Sequence, residues 1–583
     1  MLSDRVKVVK FLVFVSFVFL LSALFYFQII RYSHFRSLSL KNTVRTIPLK
    51  ASRGSIYDRN GLLLAKDDMS FNLVLIPQEI SDLDDVIGKL SVITGRPGQE
   101  LKASYKKNYR LPFVPADIIT GISPEKAFAI DERLVDAPGA LIWAVPKRLY
   151  PNGKTGSHVI GYIGKIGDSE LKRLKDYGYT IRDLVGKSGV EQYYDAYLKG
   201  DDGGMQIEVD SRSREVSRIG FKEPVKGKDI ILSIDLGLQR FMDSVFEDKK
   251  GACIVMEAKT GAILGLVSGP EFDPNIFISG KSHDRVKVLN DKGHPLLNRA
   301  ITSSYPPGST FKIIMAAAGI GTGAVKEKTS FFCNGVFRLG NASFRCWKET
   351  GHGYQDVVEA LSHSCNVFFY NLGKALGVEQ IYKYASCFGL GSLTGIDLPQ
   401  EVKGTVPNPV WKRLNIKAPW YEGDTINYSI GQGYLEVTPI QMLKTVTIAA
   451  NSGSCPQPFV VDSIGGVKIA KKKEYNTRLR PELFRMIKQG LFKCINDQTG
   501  TGQNAAVKGV AVSGKTGTAQ SGPSRVSHAW FIGYFPSEDP AVSMVVCVEH
   551  GGKGGEDAAI AARLITTYIK ENHVIGACQD STN

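Results

Sequence analysis

Three short groups of residues in this chain have the types and spacing needed for acyl transfer through a serine. The first lies in "YPPGSTFKIIMAAAGI". Pro306, Pro307 and Gly308 break the preceding structure, and a helix is expected to start near Ser309. Ser309 and Lys312 are three apart and so share one helical face. A lysine kept neutral by burial or by a nearby cation could take the serine proton and turn the hydroxyl into a nucleophile. The helix start would point free N–H groups and a positive dipole end at a developing oxyanion. The second group is Ser364-Cys365-Asn366 in "LSHSCNVFFY", at the start of another helix. Ser364 could relay a proton to a leaving amine. The Asn366 amide, with a donor and an acceptor, could hold both Lys312 and a substrate amide. The third is Lys515-Thr516-Gly517 in "VSGKTGTAQ". Lys515 favours an anionic substrate carboxylate, Thr516 could donate to it, and Gly517 lets a substrate backbone come close. Each group alone is common, and most S-x-x-K matches are ordinary helix caps. The three in this order are specific.

These residues need a frame. "VKGKDIILSIDLGLQRFMDSVF" reads as a strand, Ile230 to Ile234, followed by an amphipathic helix. "GACIVMEAKTGAILGLVSG" reads as a hairpin about Ala258-Lys259-Thr260-Gly261. "HAWFIGYF", a turn at "PSEDP" and "AVSMVVCVEHG" form a second hairpin, and the helix "EDAAIAARLITTYIKEN" closes the region. Strands at both ends with helices between predict an antiparallel sheet flanked by helices, an α+β domain over residues 226–575. Residues 31–225 are polar and irregular, with strand-like "FNLVLI" and "GALIWAV" and a helical "PEKAFAIDERL". They predict an extended, mixed, non-catalytic module.

At 583 residues the chain needs more than one core. Its 43% hydrophobic and 22% charged residues are those of folded protein. The net charge of +15 admits a polyanionic partner. However, no zinc-finger spacing, RNA-binding signature or dense basic block supports nucleic acid. The N-terminus is more decisive. Phe11 to Ile30 carries no charge in 20 residues. As a helix it spans about 30 Å, the thickness of a bilayer core. No small-residue cleavage site follows it, so it reads as an uncleaved signal anchor between a short tail (1–10) and everything else. Arg5, Lys7 and Lys10 precede it, and Arg31 and Arg36 follow, so charge asymmetry says little about orientation.

Jointly the three motifs resemble the penicillin-binding proteins and serine β-lactamases. "RGSIYDRNGLLLA", "RLYPNGKTGSHVIGYIG" and "GKSGVEQYYDAYLKG" are similar to the non-catalytic pedestal of class B penicillin-binding proteins. In that reading Glu191 is a structural pin between modules. "NYSIGQGYLEVTPIQM" and "GGEDAAIAARL" are similar to their transpeptidase domain. Within the class, the segment from Cys333 to Tyr370 resembles the elongation-type penicillin-binding protein 2, with the division-type paralogue as the alternative. The resemblance implies a penicillin-binding, β-lactamase-like transpeptidase fold held outside the cytoplasmic membrane by a single span. It implies a D,D-transpeptidase that cross-links peptidoglycan stem peptides through an acyl-serine and is acylated by β-lactams. It also implies an oxyanion hole at the backbone N–H of Ser309 and Thr518, and a RodA-like SEDS glycosyltransferase as partner. A β-lactamase would not need the anchor or pedestal. A β-lactam sensor would need further spans and a signalling domain. A scaffold that only activates a polymerase would not need Ser309.

The chain has nine cysteines, an odd number. Cys253, Cys387, Cys494 and Cys547 sit in apolar surroundings and read as buried thiols, whereas Cys455 and Cys578 read as peripheral. Cys333, Cys346, His352 and Cys365 make a Cys₃His set suited to structural, tetrahedral zinc. A Cys333–Cys346 or Cys346–Cys365 disulfide is the alternative, and free thiols the third. The resemblance favours a metal: some penicillin-binding protein 2 members bind one here, through residues matching His352 and Cys365. The other two family ligands are commonly aspartates, where this chain has Cys333 and Cys346. Thiolates favour zinc over harder ions.

Overall fold

The structure, a computed structural model, describes residues 2–36, 44–112, 114–180, 183–209, 215–278, 282–470, 474–520 and 526–575. Residues 576–583, with Cys578, lie outside the described residues. Helix α1, Leu2–Phe25, runs on as a π-helical turn, Tyr26–Ile30. Its stretch Arg5–Ile30 has a mean hydropathy of 2.6 over its most apolar window and buries nothing against protein. By length and composition this helix is able to cross a bilayer.

Contacts divide the chain into two compact units. The smaller holds Met1–Arg53, Asp67–Lys147 and Lys199–Gly227. In it Val44–Leu49, Gly203–Val209 and Glu215–Lys222 form an antiparallel sheet. A second core gathers Leu73 and Leu75 from a strand with Val86, Ile87, Leu90 and Leu101 from two helices. The helix Leu83–Thr94 starts where the Asp82 carboxylate accepts the N–H groups of Asp84 and Asp85.

The larger unit holds Gly54–Lys66, Arg148–Leu198 and Lys228–Asn583. Two of its segments were expected in the membrane-proximal module, and long-range pairing draws them in. Ile56 pairs in parallel register with Ile230, and the Asp229 carboxylate accepts the Ser55 N–H at 2.7 Å. Arg148 Nη1 donates to Gly54 O at 2.8 Å, and Arg148 Nε to Glu191 Oε1 at 2.7 Å. Tyr150 OH donates to the same Glu191 oxygen at 3.2 Å. Glu191 is thus held in a fully buried ion pair with Arg148 inside this unit.

The catalytic frame follows in chain order. Helix α2 is Leu236–Val245, and the hairpin strands are β1, Gly251–Glu257, and β2, Ile263–Gly269. Helices α3, Lys312–Thr322, α4, Val357–Ser362, α5, Asn366–Cys387, α6, Pro439–Ala450, and α7, Leu483–Asn496, make up the middle. Strands β3, Ser513–Ala519, β4, His528–Phe535, and β5, Val542–Val548, and helix α8, Asp557–Glu571, close it. The strands form one antiparallel sheet in the order β2-β1-β5-β4-β3, as the sequence predicted. Successive residues feed opposite cores, because side chains alternate along a strand. Ala252, Ile254 and Met256 join the core of α3 and α6, while Cys253 and Val255 join that of α2 and α8.

Cys253, Cys494 and Cys547 are buried and Cys387 is half-buried. Cys455, expected at the periphery, is also fully buried. The chain turns back after α6 at Gly453 (φ +119°) and pairs Cys455 with Tyr475. None of the eight described cysteines is joined in a disulfide.

Candidate active site

Ser309 sits in a 3₁₀ turn, Gly308–Phe311, that runs into α3. In a 3₁₀ turn positions i and i+3 eclipse, so Ser309 and Lys312 share a face as predicted. Gly308 is required twice over. Its φ is +55°, and a Cβ there would lie 2.7 Å from Thr518 O. That contact puts the nucleophile turn against the end of β3. Ser309 remains half-exposed, and its hydroxyl is hydrogen-bonded to none of the described residues.

Lys312 is fully buried. Its Nζ donates to Asn366 Oδ1 at 2.7 Å, to Ser364 O at 2.8 Å and to Ser364 Oγ at 3.3 Å. The first two motifs thus meet in one hydrogen-bonded knot. Ser364 has φ +55°, a left-handed conformation that a serine rarely adopts. It lies in the short break between α4 and α5, and its carbonyl is turned onto the ammonium of Lys312. Burial, then the nearby charge of Lys515, pushes the Lys312 pKa down to about 7, against a smaller opposing pull from Cys346 and Cys365.

Lys515 is also fully buried, and burial lowers its pKa. Its Nζ donates to Thr516 O at 3.1 Å. A Cβ on Gly517 would lie 2.9 Å from Thr310 Cγ2, so β3 packs tightly on the nucleophile turn. Thr518 Oγ1 accepts the Gly554 N–H at 3.2 Å. Among the described residues β3 pairs only with β4, which leaves its outer edge open to an extended peptide.

Comparison with known proteins agrees with this geometry. Residues 251–567 match the penicillin binding protein transpeptidase domain, and residues 48–232 match the penicillin-binding protein dimerisation domain. The chain belongs to the penicillin-binding protein transpeptidase family. The peptidoglycan D,D-transpeptidase MrdA of Acinetobacter baumannii is 35% identical, over 96% of this chain and 86% of the relative. A solved complex between penicillin-binding protein PBP2 and MreC from Helicobacter pylori superposes with a TM-score of 0.83 at 28% identity, over 91% of this chain and 99% of that one. A structure titled for the coordination of polymerization and crosslinking by a peptidoglycan synthase complex superposes with a TM-score of 0.74 at 28% identity, over 97% and 98%.

In this penicillin-binding protein the three cysteines and the histidine singled out in the sequence come together. Cys333, Cys346, His352 and Cys365 place their ligand atoms within 4.8 Å of one another. His352 Nδ1 is 3.6 Å from both Cys333 Sγ and Cys346 Sγ. Tetrahedral zinc with Zn–S bonds of about 2.3 Å needs ligand atoms spaced by roughly 3.5–4 Å, so the set fits. The buried Cys346–Cys365 contact shares a proton, which pushes the Cys346 pKa down and that of Cys365 up. One side of the cluster is thus disposed to be thiolate. Cys365 is the N-cap of α5 and lies between Ser364 and Asn366, so it ties the cluster to the second motif.

Three further contributions carry no local sequence signal. Asn366 Nδ2 donates to Arg345 O at 3.4 Å, which joins the catalytic amide to the cysteine-bearing insertion. Glu549, after the last strand, accepts from Tyr305 OH at 2.6 Å and from Arg299 Nε at 2.9 Å. With Trp530 Nε1 donating to Pro306 O at 3.1 Å, it anchors the loop that leads into Ser309. The lone glutamate after a mostly apolar strand, in "VVCVEHG", does not announce what it would hold.

Proposed function

We propose that this chain works as a peptidoglycan D,D-transpeptidase with Ser309 as the acylated nucleophile. Neutral Lys312 takes the Oγ proton as Oγ attacks the carbonyl of the D-Ala-D-Ala bond. The oxyanion is met by the backbone N–H groups of Ser309 and Thr518. Ser364 passes a proton to the departing D-Ala amine, so the C–N bond breaks and the acyl-serine remains. Lys515 and Thr516 hold the terminal carboxylate, and the donor peptide lies along the free edge of β3. An amine of a neighbouring stem then attacks the ester, gives its proton back through the same network, and leaves a cross-link. The observation that carries this reading is the buried Lys312, tied to Ser364 and Asn366 and held near pKa 7 one turn from Ser309.

Peptide mapping of the full chain after incubation with penicillin is the test. The adduct is expected on the peptide bearing Ser309, and stem donor plus amine acceptor is expected to yield free D-Ala and cross-linked product. Rapid penicillin hydrolysis without a cross-link would instead mark a β-lactamase.

The α1 anchor and the relatives support a place in cell elongation and shape maintenance, with the larger unit on the external side of the cytoplasmic membrane. A RodA-like SEDS glycosyltransferase fits as the polymerising partner. Cys333, Cys346, His352 and Cys365 would hold a structural zinc, which with four protein ligands leaves no position for a reactive water. Such an ion would brace the backbone at Ser364 and Asn366. Metal analysis is expected to find one zinc per chain, and chelation to lower both the melting temperature and the penicillin acylation rate. A metal-free protein with full thermal stability would remove the zinc.

A further inference from the structure

The loop Gly500-Thr501-Gly502 lies between the second and third motifs, and neither motif contains it. It approaches so closely because its glycines have no Cβ. At Gly500 a Cβ would lie 2.3 Å from Cys494 O, and at Gly502 it would lie 2.5 Å from Ile495 Cδ1. Between them Thr501 touches both motifs. Thr516 Oγ1 donates to Thr501 Oγ1 at 3.1 Å, and Thr501 Oγ1 donates to Ser362 O at 3.3 Å. Ser362 is two residues before Ser364. The neighbouring Thr499 Oγ1 is 2.9 Å from Nε2 of His363, so the loop is seated on the same turn at a second point.

This chain of hydroxyls runs the wrong way for an anionic ligand, since the Thr516 proton points at Thr501. Hydroxyl hydrogens rotate to suit their partners. When a carboxylate arrives, Thr516 must turn its proton to it, and its oxygen then needs a donor. Thr501 can supply one by turning its own proton from Ser362 O to Thr516 Oγ1. Ser362 O is not orphaned by this, because it also accepts the Thr501 backbone N–H at 3.3 Å. In the reversed chain each hydrogen bond polarises the next toward the anion.

We propose that Thr501 is a positioning residue for substrate carboxylate recognition, a hydroxyl whose proton swings from Ser362 O to Thr516 Oγ1 when Thr516 donates to the carboxylate. The inference rests on the assignment of Thr516 to that carboxylate in the proposed function. It sets the substrate class as acyl donors with a free carboxylate beyond the scissile bond. It also predicts that the loop contributes to discrimination against donors without one.

The test compares acylation of the full chain by benzylpenicillin and by its methyl ester, which lacks the anion. Thr501→Val is expected to lower the acid-to-ester ratio of second-order acylation rates by about three- to tenfold, the worth of one neutral hydrogen bond. Thr501→Ser is expected to restore the ratio. Thr516→Val should lower the ratio at least as much. Equal loss toward acid and ester in Thr501→Val would mean a merely structural loop and overturn the proposal. So would an unchanged ratio in Thr501→Val alongside a lowered one in Thr516→Val. If Thr516→Val itself leaves the ratio unchanged, the carboxylate assignment falls and the role of Thr501 falls with it.

Discussion

Replacing Ser309 by alanine is expected to abolish covalent labelling by penicillin and the release of D-Ala, while the protein melts at the temperature of the parent. Ser309 is half-exposed in its turn and its hydroxyl bonds to no other described residue, so that hydroxyl adds little to the fold. Its Oγ is, in the proposed mechanism, the atom that forms the acyl bond, and among the described residues no neighbouring hydroxyl is placed to substitute. Ser364 is held under Lys312 in the left-handed turn, and Thr310 Oγ1 donates to Pro307 O at 2.7 Å. The loss should approach the roughly millionfold effect of removing a serine nucleophile elsewhere. Intact-protein mass after incubation with penicillin is the measurement. An adduct that persists in Ser309→Ala would sink the assignment.

The second large effect concerns Lys312. Lys312→Met keeps the length of the side chain and removes the base, and it should slow acylation by about 10²- to 10⁴-fold. The pH profile separates this role from a packing role. With the Lys312 pKa pushed down to about 7, the neutral base is scarce below that pH and fully populated above it. Acylation of the parent should therefore climb as pH rises through about 7 and level about two units above it. The Lys312→Met variant should lose that limb and react at a slow rate that does not follow the titration. Because the charge of Lys515 helps hold the pKa down, Lys515→Met should move the midpoint to higher pH, on top of its lost carboxylate contact. A parent profile flat between pH 5 and pH 9 would contradict lysine as the base. These pH limits are about two units either side of the midpoint, where a single group is essentially all in one form.

What the sequence by itself determined is what local spacing can encode. A separation of three positions brings Ser309 and Lys312 to one face in either helical form. An alternating apolar run around a tight turn makes each hairpin. Phe11–Ile30 needs only its length and lack of charge to span a bilayer. The order of S-x-x-K, S-x-N and K-T-G, with two hairpins around a helical middle, was enough to expect the antiparallel sheet flanked by helices. The Cys₃His set could be named but not chosen over a disulfide, because pairing depends on distances between residues that lie far apart in the chain.

Only the tertiary structure decided the contacts made across such gaps. Lys312 reaches Ser364 and Asn366 from more than 50 positions away, and its lowered pKa arises from that burial and from Lys515 on another element. Ser364 adopts a left-handed backbone that its residue type does not announce, because the knot around Lys312 Nζ outweighs the local preference. Thr501 in "TGTGQ" looks like any polar loop residue until the fold sets its hydroxyl between Ser362 and Thr516. Nothing local in Gly54–Lys66 or Arg148–Leu198 announces the pairing of Ile56 with Ile230 or the buried Arg148–Glu191 ion pair. The physical reason is the same in each case. Sequence periodicity reports which face of an element is apolar, but the hydrogen bonds and charges that tune a buried polar site are supplied by whichever distant element the core packs against that face.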